Sequence, residues 1–191
     1  MKDGTTPALV GVSDEALMVA YASGDANAFD TLYARHKGAL FGYFTSQLED
    51  SEAHDSFQTL WLNVIRHRKR YRPSAPFRHY LFSLAHNVLM DQHRKSMRSN
   101  VIESTGIDSL SSGAPNPEEA HEREQLRARL VELVRQLPSH QREVWLLRQQ
   151  TDFSTADIAS VTGATEEGVK SRLRYARDKL KAGMARYAER N

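Results

Sequence analysis

The sequence predicts an all-α protein built as two small helical domains joined by a flexible linker. Three observations carry that expectation. Apolar residues recur at three- and four-residue spacing along most of the chain, and no segment alternates with the two-residue period of a strand. The stretch from Ser99 to Pro117 is rich in Ser, Gly, Asn and Pro and has few large apolar side chains, which marks a linker. A chain of 191 residues has room for one large domain or two small ones, and that break favours two. The organisation reads as a loose tail over 1–12, a first domain over 13–98, the linker over 99–117 and a second domain over 118–191.

In the first domain, Ser13 and Asp14 offer a cap before Leu17, Met18, Ala20 and Tyr21. Gly24 and Asp25 make a break, and a second helix is predicted from about Ala26 to Gln47, with Phe29, Leu32, Tyr33, Leu40, Phe41 and Phe44 at helical spacing. A third runs from about Ser51 to Arg68 around Phe57, Leu60, Trp61, Val64 and Ile65. His67 to Phe77, HRKRYRPSAPF, is then a basic loop stiffened by Pro73 and Pro76. A fourth helix, Arg78 to about Met97, buries Leu81, Phe82, Leu84, Ala85, Val88 and Leu89.

After the linker, Glu118 to Leu137 forms an amphipathic helix, and Pro138 opens another that runs to about Gln150. The segment from Ser154 to Leu180 then has the pattern of a helix-turn-helix. Ser154 or Thr155 caps a short helix with Ile158, Ala159 and Val161 inward, and Gly163 breaks it at a site suited to positive φ. Thr165 caps the next helix, where Glu166 and Glu167 complement the positive end of the dipole and Val169, Leu173, Ala176 and Leu180 form a buried stripe. Lys170, Ser171, Arg174, Arg177 and Lys181 lie away from that stripe, a row that could dock in a major groove. Lys181 to Asn191 reads as a polar tail.

Net charge is only +2, but its distribution is uneven. Met1 to Leu60 holds three basic and nine acidic residues, whereas Trp61 to Arg98 holds nine basic residues and one acid, Asp91. Separate acidic and basic faces suit a protein that holds a basic partner and nucleic acid at once. The absence of cysteine excludes a disulfide frame and a thiolate metal site. No signal peptide or membrane-spanning apolar run is evident, so a soluble cytoplasmic protein without membrane insertion is expected.

Three segments carry a family resemblance. LPSHQREVWLLR (Leu137 to Arg148), VKSRL (Val169 to Leu173) followed by Ala176, Arg177 and Leu180, and FRHYLFSLAHNVLMDQHRK (Phe77 to Lys95) occur in one order with a linker between. Together they resemble the group IV, or extracytoplasmic-function, sigma factors of bacterial RNA polymerase. The resemblance covers residues 14–98, the family's region two, and 118–186, its region four. It implies that the chain binds core RNA polymerase and promoter DNA, reads the minus-35 element as duplex with region four, and melts and holds the minus-10 element with region two. It implies an anti-sigma factor as a further partner; a regulatory Ser/Thr kinase acting on Ser56 or Thr59 is the other candidate, and no cofactor is expected.

The minus-35 candidates are Thr165 and, as the leading base or phosphate contacts, Lys170, Ser171 and Arg174, with Arg148 and Arg177 on the backbone. The minus-10 candidates are Arg70, Tyr71, Arg78, Asn87, Arg94 and Lys95, with Tyr71 and Phe77 as stacking surfaces for an unstacked base. Glu52, Asp55, Phe57, Gln58 and Trp61 on the third helix are the polymerase-binding candidates.

The chain departs from the family pattern at two places. His54 and Thr59 stand where acids are common, and phosphorylation of Ser56 or Thr59 would restore negative charge there. The usual aromatic-Arg-Ala-Arg order is Arg174, Tyr175, Ala176 and Arg177, so Arg and the aromatic have exchanged places. Two rival classes fit less of the chain. His54 with Asp55, and His86, Asp91 and His93, do not form a familiar ligand or acid-base set, so neither an enzyme nor a metal site is expected. A helix-turn-helix repressor or response-regulator output domain without polymerase binding is the alternative. It accounts for residues 137–181 but not for the basic loop and fourth helix.

Overall fold

The computed structural model describes residues 11–98 and 117–188. The expected tail up to residue 10, the linker over 99–116 and the last three residues lie outside the described residues. Among those described, the chain forms eight α-helices and one 3-10 turn, with no strand. It divides into two compact units, with the boundary between Val101 and Ile102.

The first unit contains α1 (Asp14–Ala22), α2 (Ala26–Thr45), α3 (Asp50–His67), the 3-10 turn Arg68–Arg70 and α4 (Phe77–Arg98). Short polar side chains start the first two helices: Ser13 Oγ accepts from the Ala16 N–H at 3.2 Å, and Asp25 Oδ1 accepts from the Asn27 N–H at 3.0 Å. Between them Gly24 takes a φ of 111°, which a side chain would disfavour. Helix α3 carries Asp50 and Glu52 in its first turn and Arg66 and His67 in its last, each complementing the dipole at its end. Leu17, Met18, Leu32, Leu40, Tyr43, Phe44, Leu60, Leu81, Phe82 and Leu89 fill the core. Each such side chain contributes roughly 1.5–3 kcal/mol on burial. Phe29, Tyr33, Phe41 and Phe57 are only half-buried and form a ring-on-ring strip between α2 and α3.

The second unit contains α5 (Pro117–Arg135), α6 (Ser139–Gln150), α7 (Thr155–Thr162) and α8 (Glu166–Ala188). Leu133, Val134 and Leu137 pack with Leu146 of α6 and with Ala176 and Leu180 of α8, flanked by Trp145 and Met184. Arg142 closes the α5–α6 corner. Its Nη2 donates to the Leu137 carbonyl at 3.0 Å and to the Arg135 carbonyl, which gives partners to carbonyls that the end of α5 leaves open.

The polar tail expected from Lys181 is instead helix through Ala188. Gly183 is buried there, and an added Cβ would lie 2.5 Å from Leu133 Cδ2, so any side chain at this position would have to displace Leu133. Met184 and Tyr187 extend the contact, and the Tyr187 hydroxyl donates to Gln125 Oε1 at 3.3 Å.

Candidate nucleic-acid interface

Local sequence rules build the helix-turn-helix. Ser154 Oγ accepts from the Asp157 N–H at 3.1 Å, while Asp157 Oδ2 accepts from the Ser154 N–H at 2.8 Å, a reciprocal cap on α7. Gly163 ends that helix with a φ of 64°, in the left-handed region. Thr165 Oγ1 then accepts from the Gly168 N–H at 3.1 Å and starts α8. Ile158, Ala159, Val161 and Val169 are buried, which fixes α7 against α8.

Lys170, Arg174, Arg177 and Lys181 are exposed and three or four residues apart, so they share one side of α8. Ser171 is half-buried beside them. Two other candidates are already engaged within the unit. The Thr165 hydroxyl is the helix cap, and Arg148 Nη1 donates to the Phe153 carbonyl at 2.7 Å, holding the α6–α7 loop. The residue that sequence reasoning missed is Tyr175, which is exposed with the Arg174 guanidinium against its ring. Its exchange with Arg174 in the family order was the available signal.

In the first unit the basic loop forms one wall of a groove of about 310 Å³. Lys69, Tyr71, Arg72 and Pro73 line it from the loop, and Val19, Ala22 and Ser23 line it from α1. The α1 wall was not anticipated. Tyr71 is buried, not open as a stacking platform: its ring packs edge-on against Phe77 and Tyr80 at centroid distances of 5.7 and 5.1 Å. Burial, and then the nearby Glu15 carboxylate, pushes its phenol up to about 12, so it stays neutral. Phe77 is wholly buried and offers no surface. Arg70 is exposed at the end of the 3-10 turn.

The loop is tethered from behind. Glu15 Oε1 accepts from the Phe77 N–H at 2.7 Å, and that bond, foremost, draws the Glu15 carboxyl below its usual range. Asp14 accepts from Arg35 Nη1 at 2.6 Å, and its second oxygen lies 2.6 Å from His36 Nε2. His36 in turn packs edge-on against Phe77.

Along α4, nine positions separate Arg78 from Asn87, which places them half a turn apart. The helix therefore does not bring these two candidates together. Arg78 is half-buried, and its charge acts on His36. Asn87, Arg94 and Lys95 are exposed, with Arg94 paired to Asp91.

Helix α3 splits its candidates between two faces. Asp55, Gln58 and Thr59 are exposed, as are Leu62 and Arg66 one turn on. Trp61 and Ser56 are buried, and Phe57 is half-buried against Phe41. A surface role is thereby withdrawn from Trp61, and Ser56 lies out of a kinase's reach, because both occupy the core-facing stripe of Ala53, Leu60 and Val64. Glu52 accepts from Gln92 Nε2 at 2.9 Å and Ser96 Oγ at 3.1 Å, which ties α3 to α4. Among the described residues no group of His, Asp and Glu could hold a metal ion, and no helix is long and apolar enough to cross a membrane.

Comparison with known proteins identifies this arrangement. The family described as Sigma-70 region 2 matches residues 32–99, and Sigma-70 region 4 matches residues 127–180. The chain is 31% identical to "ECF RNA polymerase sigma factor SigL" of Mycobacterium tuberculosis, over 81% of this chain and 88% of that protein. It is 32% identical to "RNA polymerase sigma factor CnrH" of Cupriavidus metallidurans, over 89% of this chain and 93% of that protein. The solved structure of CnrH in complex with the cytosolic domain of CnrY superposes with a TM-score of 0.64 at 26% identity, covering 88% of this chain and 95% of that one. The sigma factor RpoE of Bartonella quintana, solved with the anti-sigma factor NepR, shares the fold with a TM-score of 0.69 at 21% identity, over 84% of this chain and 98% of that one. With both regions matched in chain order and relatives above 30% identity spanning most of its length, the chain belongs to the extracytoplasmic-function RNA polymerase sigma factors of the sigma-70 family.

Proposed function

We propose that the two units divide promoter recognition between them. The second unit reads the minus-35 duplex through α8, with Lys170, Ser171 and Arg174 toward the bases and Arg177 on the phosphates. The first unit holds the minus-10 strand at the basic loop, with an unstacked base in the groove between that loop and α1 and with Arg70, Asn87, Arg94 and Lys95 along the backbone. The outward face of α3, around Asp55, Gln58 and Thr59, meets the clamp of core polymerase. The observation that carries this reading is the capped α7–Gly163–α8 turn, which presents a row of exposed cations on the second helix.

Sigma factors are in general initiation factors without catalytic activity of their own, and we extend that to this chain. It works in the cytoplasm, where its polymerase is, and an anti-sigma protein or a kinase acting at Thr59 controls it. The solved structures of CnrH with the cytosolic domain of CnrY and of RpoE with the anti-sigma factor NepR support a protein partner of this kind. In vitro transcription with core polymerase on a promoter library tests the whole. The full chain co-migrates with core polymerase and starts RNA from a defined promoter subset. Arg174→Ala reduces promoter-specific transcription more than polymerase binding. Tight binding to duplex DNA without polymerase, and no initiation with it, would instead favour a repressor.

A further inference from the structure

One exposed ring stands where DNA contact is proposed. Tyr175 is 55% exposed on α8, and the guanidinium carbon of Arg174 lies 5.2 Å from its ring centroid. A single exposed aromatic is ordinary on most surfaces. This one follows Arg174 directly in the second helix of a helix-turn-helix, four residues after Ser171, and the arginine's guanidinium lies over it.

The pair has two complementary chemistries. In the major groove thymine presents its C5 methyl group, which apolar side chains contact, and guanine presents the N7 and O6 acceptors that a guanidinium engages through two N–H groups. A guanidinium lying against a ring is attracted through its flat face, so its N–H edge stays free to donate. The ring thus favours arginine orientations that lie over it, and its own exposed apolar surface is free to meet a neighbouring base. Neither effect depends on sugar or phosphate, so the pair bears on sequence rather than on affinity alone.

We propose that Arg174 and Tyr175 act as one unit that reads two adjacent base pairs of the minus-35 duplex, the guanidinium on a guanine and the ring against a thymine methyl. The inference rests on the reading of α8 as the minus-35 helix, and it makes Tyr175 a specificity residue.

Holoenzyme assembled from core polymerase and the full chain is used to select minus-35 sequences from a randomised promoter library. Each selected thymine is then replaced by deoxyuridine, which removes only the methyl group. At one position, next to a selected guanine, this weakens binding about fourfold, the effect of one methyl group transferred from water. Tyr175→Ala abolishes that difference and relaxes the guanine preference, and Tyr175→Phe keeps both. The inference is overturned if no thymine is methyl-sensitive with the unaltered chain, or if Tyr175→Ala selects the same sequence with the same sensitivity. A holoenzyme that initiates but selects no minus-35 sequence at all overturns the reading of α8 itself, and the inference with it.

Discussion

Glu15 of α1 caps a helix that begins 62 residues later, its carboxylate accepting the Phe77 N–H at 2.7 Å. The bond replaces the local side-chain cap that Pro76, just before α4, cannot supply, and it fixes the exit of the basic loop. Glu15→Ala should destabilise the first unit by about 1 kcal/mol, as lost caps do. For a unit of this size that is a fall in Tm of roughly 4–8 °C. Because the Glu15 pKa is lowered on folding, its stabilisation is full above the ordinary value of 4.5 and is lost as pH falls through the folded value. Acid denaturation of Glu15→Ala should therefore show a shallower pH dependence in that range. An unchanged melting curve would remove Glu15 from this role.

His36 offers a second pH test. Burial holds its pKa below the usual 6.5, against the pull of Asp14, and the Arg78 and Arg35 charges push the same way as burial. The neutral ring thus contributes stability that is complete above pH 6.5 and disappears as pH falls through the folded value. A histidine NMR titration should place His36 below 6.5, and Asp14→Asn should move it lower still by removing the opposing carboxylate. A His36 value above 6.5, or a rise in Asp14→Asn, contradicts the assignment.

Close packing of Gly183 against Leu133 predicts a non-additive pair. Gly183→Ala gains helix propensity of up to about 1 kcal/mol but overpacks the contact, which typically costs about 1–3 kcal/mol, so it should destabilise on balance. Leu133→Ala makes room at its own cost. In the double variant, Gly183→Ala should turn neutral or stabilising, and a thermal-denaturation cycle measures the coupling. Strict additivity would show that the two side chains do not compete for one space.

Thr59 and Ser56 on α3 differ in burial, so added charge acts differently at each. Thr59 is exposed, so Thr59→Glu should leave stability within about 0.5 kcal/mol. If control acts there, the variant retains more core polymerase in a pull-down than the unmodified chain. Ser56 is 3% exposed, so Ser56→Glu buries a carboxylate and should unfold the first unit, a loss on the order of 3 kcal/mol or more. Enhanced polymerase retention by a stably folded Ser56→Glu would reverse this ordering.

Features governed by near neighbours in the chain were legible before the fold was known. Ser154, Gly163 and Thr165 announce the turn because capping and positive φ are local requirements, met within four residues. The spacing already puts Trp61 on the apolar side, three positions before Val64, and Ser56 belongs on the same stripe, since it follows Ala53 by three positions and precedes Leu60 by four. A small polar residue or a large aromatic on such a stripe simply invites a functional reading. Spacing alone likewise sets Arg78 and Asn87 on opposite sides of α4. What no local rule reveals is a partner far along the chain. The Glu15–Phe77 bond, the α1 wall of the groove and the Leu133–Gly183 contact all depend on which helices meet, and periodicity says only that some helix will.

Helix α8 runs unbroken from Glu166 to Ala188, so one rigid rod carries the exposed cations near its start and the glycine seat near its end. Ser171 and Gly183 stand twelve residues apart, roughly 18 Å at the rise of an α-helix. A small tilt imposed where the rod rests on α5 swings its far end through a larger arc. If α8 reads the minus-35 duplex as proposed, apolar substitutions at that seat bear on promoter choice without ever approaching DNA.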